Sequence, residues 1–212
     1  GAVAAASSFQ RALGIAHEES RRRSYLIAHK VERIRSTGLG DITALSAGGV
    51  ERRIAVGSPY SGEKLNSGPG KAEGWFEEIP LILAWKSKTG KHTSNYIDNL
   101  EWKEKITSSG KKAMKTISEG SWDRSRWQEL IESAENFVID SELVMDSKRN
   151  ELLFESNNLI KDCDLEEYVV SLLCMLGQSI VIVPKNLDLN NFEIDKICNK
   201  FNEVGFETIV TS

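Results

Sequence analysis

Histidine and cysteine are scarce in this chain of 212 residues, with three of each. His17, His29 and His92 lie far apart, and no Cys/His spacing matches a zinc site. Cys163, Cys174 and Cys198 all fall in the C-terminal half, and two of them sit on apolar helical patterns. Reduced core thiols are therefore expected in place of a disulfide framework. Long apolar runs are missing too, which leaves no membrane-spanning candidate. The opening Gly1 to Ser8 has neither the basic start nor the apolar centre of a secretory signal, so the expected location is intracellular and cytoplasmic. Serine, histidine and aspartate all occur, but without a strand-elbow-helix nucleophile pattern they do not amount to a catalytic triad.

Charge is present in ordinary amount, 27% of residues, but it is segregated. Residues 1 to 120 carry 19 Lys and Arg against 13 Asp and Glu, whereas residues 121 to 212 carry 8 against 18. The expected organisation follows that division: a basic helical and glycine/tryptophan-rich region over 1–120 and an acidic sheet-and-helix domain over 121–212.

The C-terminal half carries the clearest structural pattern. Phe137 to Asp146 and Glu151 to Glu155 are two apolar, β-branched runs around the polar Ser147-Lys148-Arg149-Asn150, a hairpin pattern. Asp164 to Gly177 has an N-cap acid, a Glu three residues on and a glycine stop, and reads as a helix. Ser179 to Val183 reads as a buried strand, Asn190 or Asn191 to Gly205 as an amphipathic helix, and Phe206 to Thr211 as a last strand. The fold class expected is α+β (mixed α/β), with a C-terminal order of hairpin, helix, strand, helix, strand. The crossover helix makes the last two strands parallel neighbours.

Upstream, apolar spacing predicts one long helix or two joined ones ending near Gly38. Arg21, Arg22, Arg23, Lys30, Arg33 and Arg35 make its second half basic. Those six are the candidate nucleic-acid-binding residues, set against a solvated face with Glu18 and Glu19 as local partners. Nine glycines between Gly38 and Gly74 predict a loop-dominated stretch, with short strands near Ile42 to Leu45 and Arg53 to Val56 and a mobile tail from Gly57. All five tryptophans fall between Trp75 and Trp127, among lysines and arginines. Such interleaving can stack bases, though clustered tryptophans are more often core anchors.

Two stretches approach a phosphate-binding loop. In Gly57 to Lys64 the lysine position is Glu63, the wrong charge for a triphosphate; Lys86 to Thr93 has Gly90-Lys91 but no first glycine. From Ser121 onward the expected helix, two strands, helix and strand resemble the core of PD-(D/E)xK nucleases. That resemblance implies Asp140 or Asp146 as the first acid, Glu155 as the second, and Asp140 with Glu155 as ligands of a divalent metal such as Mg or Mn. Asn157 stands where the lysine belongs. A second acid-x-Lys grouping is Glu101-Trp102-Lys103 with Asp98 or Asp41. The function expected from sequence is non-catalytic binding or regulation. It would work through a basic, tryptophan-rich surface, with nucleic acid or a protein as partner, no membrane and no cofactor. The alternative is the metal-dependent nuclease.

Overall fold

The computed structural model describes residues 1–35, 40–86, 96, 98–174, 177–189 and 192–211. The class is α+β, as the sequence predicts, with two small antiparallel sheets among the described residues. The chain divides into two compact units: Gly1–Glu77 with Gly120–Trp122, and Glu78–Glu119 with Asp123–Ser212.

The first unit opens with helices α1 (Ala2–Ala12) and α2 (His17–Arg35), separated by a turn at Gly14, whose φ of +76° suits glycine. Small side chains let the two helices approach. Ser20 and Ser24 are fully buried, and Gln10 donates to the Ser24 hydroxyl at 3.1 Å and to the Ala6 carbonyl at 3.2 Å. The residues read as a strand near Ile42 form instead a short helix, α3 (Asp41–Ala47). Ile42 joins Tyr25 and Ala28 in the small core of this unit, with Val3 and Tyr60 packed against them, so tertiary burial sets its conformation.

Strand β1 (Val50–Ala55) pairs antiparallel with β2 (Lys71–Trp75), Val50 opposite Trp75 and Arg52 opposite Glu73. The connection between them is pinned along its length. Thr43 donates to the Gly57 carbonyl at 2.9 Å, Gly62 N–H to Ser67 at 3.1 Å, and Tyr60 stands edge-on to Tyr25, its hydroxyl donating to Ser46 O at 3.2 Å. The loose tail expected from glycine content is therefore a hydrogen-bonded loop.

The second unit is a four-stranded antiparallel sheet in the order β4-β5-β3-β6, formed by β3 (Leu81–Trp85), β4 (Val169–Leu173), β5 (Ser179–Pro184) and β6 (Glu207–Thr211). Its helices are α4 (Leu100–Ile117), α5 (Trp127–Asp140), α6 (Ser147–Asp162) and α7 (Ile194–Glu203). Ile82, Ile180, Ile182, Ile197 and Phe201 have no exposed surface, and each contributes about 1.5–3 kcal/mol of burial. The fold returns at Gly205 to bring Phe206 onto Phe201, ring centroids 5.1 Å apart.

Strand β5, helix α7 and strand β6 agree with the sequence reading. The hairpin expected over 137–155 does not form. Phe137 to Asp140 complete α5, Leu143–Met145 is a 3-10 turn, and α6 starts at Ser147. Trp127, Ile131 and Val138 are the buried residues of α5 at helical spacing, and that longer periodicity overrides the β-branched run at its end. The helix expected from Asp164 is likewise a strand, β4, in which Val169, Ser171 and Leu173 alternate inward. Strands β5 and β6 do run in the same direction, but each is antiparallel to β3, which lies between them. They are not the parallel neighbours expected.

Candidate active site

Helix α2 carries His29 and Glu32 three residues apart, hence on one face. Beyond its end, Gly40 leads into α3, whose first residue is the exposed Asp41. Strand β1 carries Glu51 and Arg53 two residues apart, hence on one side of the β1–β2 ribbon. All five groups lie in the first unit.

Electrostatics tie Glu32, Asp41, Glu51 and Arg53 together. Burial raises the Glu51 carboxyl above its ordinary value; the Arg53 charge offsets part of that rise and the Asp41 charge adds to it. Burial likewise raises Glu32, and Asp41 adds to it. In both glutamates Oε2 is shielded from solvent with no hydrogen-bond partner, a costly state for an ionised oxygen. His29 is pushed down by burial and then by Arg33, which favours the neutral imidazole. Asp41 is thus an accessible carboxylate whose charge reaches both shielded acids, and Arg53, likewise exposed, acts on Glu51. Such a grouping can take a proton from a bound hydroxyl and face an anion with a fixed cation.

The residues singled out by sequence are placed elsewhere and apart. Arg22 and Arg23 both bond Glu19, at 2.8 and 2.5 Å, while Arg21 donates to the Tyr60 hydroxyl at 3.1 Å and lies over its ring. Lys30, Arg33 and Arg35 follow on the same helix, exposed. In the second unit Asp140 ends α5 and accepts from Lys112 at 2.6 Å. Asp146 is the N-cap of α6, accepting from Lys148 N–H and the Tyr96 hydroxyl, both at 3.2 Å. Glu155 accepts from Lys86 at 2.6 Å on both oxygens. Nine residues of helix put Asp146 and Glu155 roughly 13 Å apart along the axis. The strands that were to bring these acids together are helical. Among the described residues no three His, Cys, Asp or Glu side chains converge to hold a metal. Gly90-Lys91 lies outside the described residues.

Tryptophans also turn inward. Trp122 donates to the Val50 carbonyl at 2.9 Å within the first unit, and Trp127 to the Pro184 carbonyl at 2.8 Å within the second. Trp102 packs against the core edge-on to Tyr96.

No protein-family model matches the chain, and no curated protein sequence does. Among solved structures it is similar to a protein described as "Phosphotransferase related to CoA biosynthesis pathway", with a TM-score of 0.66 and 21% identity. The likeness is one of fold. It takes in 99% of this chain and 59% of that one, so the chain spans well under two thirds of that structure's length. This finding overturns the expected non-catalytic binding or regulatory role, and the nuclease alternative with it. Nearly the whole chain takes a fold carried by a protein described as a phosphotransferase, and neither nucleic-acid binding nor nuclease architecture finds support. Among the described residues no helix is long and apolar enough to cross a membrane.

The grouping around Asp41 is scarcely legible in the sequence. Its members come from two helices and a strand, 25 residues end to end, with no fixed short motif. Asp41 stands out only as a remote partner of Glu101-Trp102-Lys103, within a glycine-rich stretch.

Proposed function

We propose that the chain belongs to a phosphotransferase that moves the terminal phosphoryl group of a nucleoside triphosphate to a hydroxyl of a small precursor of coenzyme A. The observation that carries this reading is the fold match along 99% of the chain to a protein of that description. The Asp41 grouping supplies a chemistry consistent with it.

In the proposed reaction the acceptor hydroxyl oxygen bonds to the terminal phosphorus as the bond from phosphorus to the bridging oxygen breaks. The nucleoside diphosphate leaves, and the hydroxyl proton passes to a carboxylate. Asp41 is assigned that proton because it is exposed to a bound substrate, whereas the Oε2 atoms of Glu32 and Glu51 are shielded. Arg53 is assigned an anionic group of the acceptor or the transferred phosphoryl group, which a guanidinium can meet with two parallel hydrogen bonds. Glu32 stands on the α2 side. Burial raises both shielded acids above the ordinary carboxylate value, which lessens the negative field that an anionic substrate would meet.

The test is to incubate the protein with magnesium nucleotide labelled in the terminal phosphate and a panel of hydroxyl-bearing coenzyme A precursors. Label appearing in one acceptor, dependent on that acceptor, supports the reading. Label in none of them, with a folded protein, removes it.

A further inference from the structure

Gly40 is buried, and its φ of −176° is extended backbone that any residue adopts, so conformation does not call for glycine there. Space does. A Cβ built on Gly40 would lie 1.4 Å from Arg53 Nη1 and 2.5 Å from Cζ. The guanidinium therefore rests on the bare backbone of the residue immediately before Asp41. Glu51, on the same strand and the same side two residues earlier, feels the charges of both Arg53 and Asp41.

We infer that Gly40 is a positioning residue: the missing side chain there leaves the bare backbone on which the Arg53 guanidinium rests, immediately before Asp41. Among the described residues no side chain bonds the Arg53 guanidinium, so the bare floor at Gly40 sets where its charge stands. The inference deepens the phosphotransferase reading and rests on it for its catalytic consequence, but not for its geometry.

The clash is with the far end of a flexible, exposed side chain, which can swing away at little cost to the fold. Gly40→Ala is thus expected to keep the thermal midpoint of the wild type while displacing the guanidinium. The direct readout is the titration of the Glu51 carboxyl carbon by NMR in the wild type, Gly40→Ala, Arg53→Ala and the double variant. Since Arg53 offsets the rise caused by burial, removing it moves the Glu51 pKa further up. Gly40→Ala is expected to move it in the same direction, and the double variant to match Arg53→Ala alone, because the two changes remove one interaction. A Glu51 titration unchanged by Gly40→Ala but moved by Arg53→Ala would overturn the inference. So would a double variant in which the two shifts simply add.

Should Gly40→Ala not fold, the Arg53→Ala background decides the matter. With the guanidinium gone the added methyl has room, and the double variant is expected to fold like Arg53→Ala; failure to fold there overturns the inference. In the transfer assay Gly40→Ala is expected to raise the acceptor KM about tenfold, since misplacing one binding group costs orientation. A wild type that transfers no phosphoryl group would remove the functional reading, while the carboxyl titrations would still decide the role of Gly40.

Discussion

Arg52 and Glu73 stand opposite one another on β1 and β2, and the Arg52 guanidinium donates to the Glu73 carboxylate across the ladder. The same guanidinium donates to the Gly120 carbonyl at 2.7 Å and lies over the Trp122 indole, 5.2 Å from the ring. Arg52 is 8% exposed. One buried cation therefore fastens a two-stranded ribbon, marginal by itself, to the 120–122 segment. Arg52→Ala is expected to destabilise the first unit by roughly 1–3 kcal/mol, losing the bonds to Glu73 and the Gly120 carbonyl and the packing on Trp122. A chemical denaturation curve checks it, and an unchanged midpoint would show that the ribbon holds without this anchor.

Acid stability follows from Glu19. Its carboxyl is pulled down from 4.5 to about 2, first by the hydrogen bond from Arg22 and then by that from Arg23. A folded value below the unfolded one means stabilisation fully present above about pH 4.5 and lost as pH falls toward 2. Glu32 and Glu51 act in the opposite sense. Burial raises both, so their contribution is present below the unfolded carboxylate value and lost as pH rises through the folded one. Urea midpoints against pH are expected to fall less steeply on the acid side in Glu19→Gln. The decline on the high-pH side is expected to flatten in Glu51→Gln.

Asp146 serves α6 as a cap. Replacing it by Ala removes the bond from the Lys148 N–H and that from the Tyr96 hydroxyl. The expected cost is about 1–2 kcal/mol, with faster amide exchange confined to the first turn of α6. Exchange unchanged at that turn would contradict the capping role.

These cases show which parts of the molecule the sequence makes legible. Helix α7 could be read because Ile197 and Phe201 repeat at helical spacing before a glycine stop, and β5 because a short apolar run ends at Pro184. Both signals are local and agree with the tertiary packing. The α5–α6 region could not be read in the same way. Phe137, Val138 and Ile139 have strand propensity, but they close a helix whose register was set ten residues earlier by Trp127 and Ile131. Asp164 and Glu167 mimic a capped helix, yet the alternation of Val169, Ser171 and Leu173 against the sheet prevails. The acids assigned to metal binding failed for the same reason: Asp140, Asp146 and Glu155 were grouped on strands that are helices. Of the Asp41 grouping, the sequence offered Asp41 only as a remote partner of Glu101-Trp102-Lys103. Glu32, Glu51 and Arg53 acquire meaning once α2, α3 and β1 bring their charges within reach of one another.

The most direct measurement compares the wild type with Asp41→Asn in single-turnover transfer of labelled phosphate to the acceptor. Asparagine keeps the size of the side chain and removes its capacity to accept the proton. Proton transfer to Asp41 predicts a fall in rate of roughly 10²–10⁴ with acceptor affinity retained. Transfer by Asp41→Asn at the wild-type rate would contradict it and place the chemistry elsewhere in the chain.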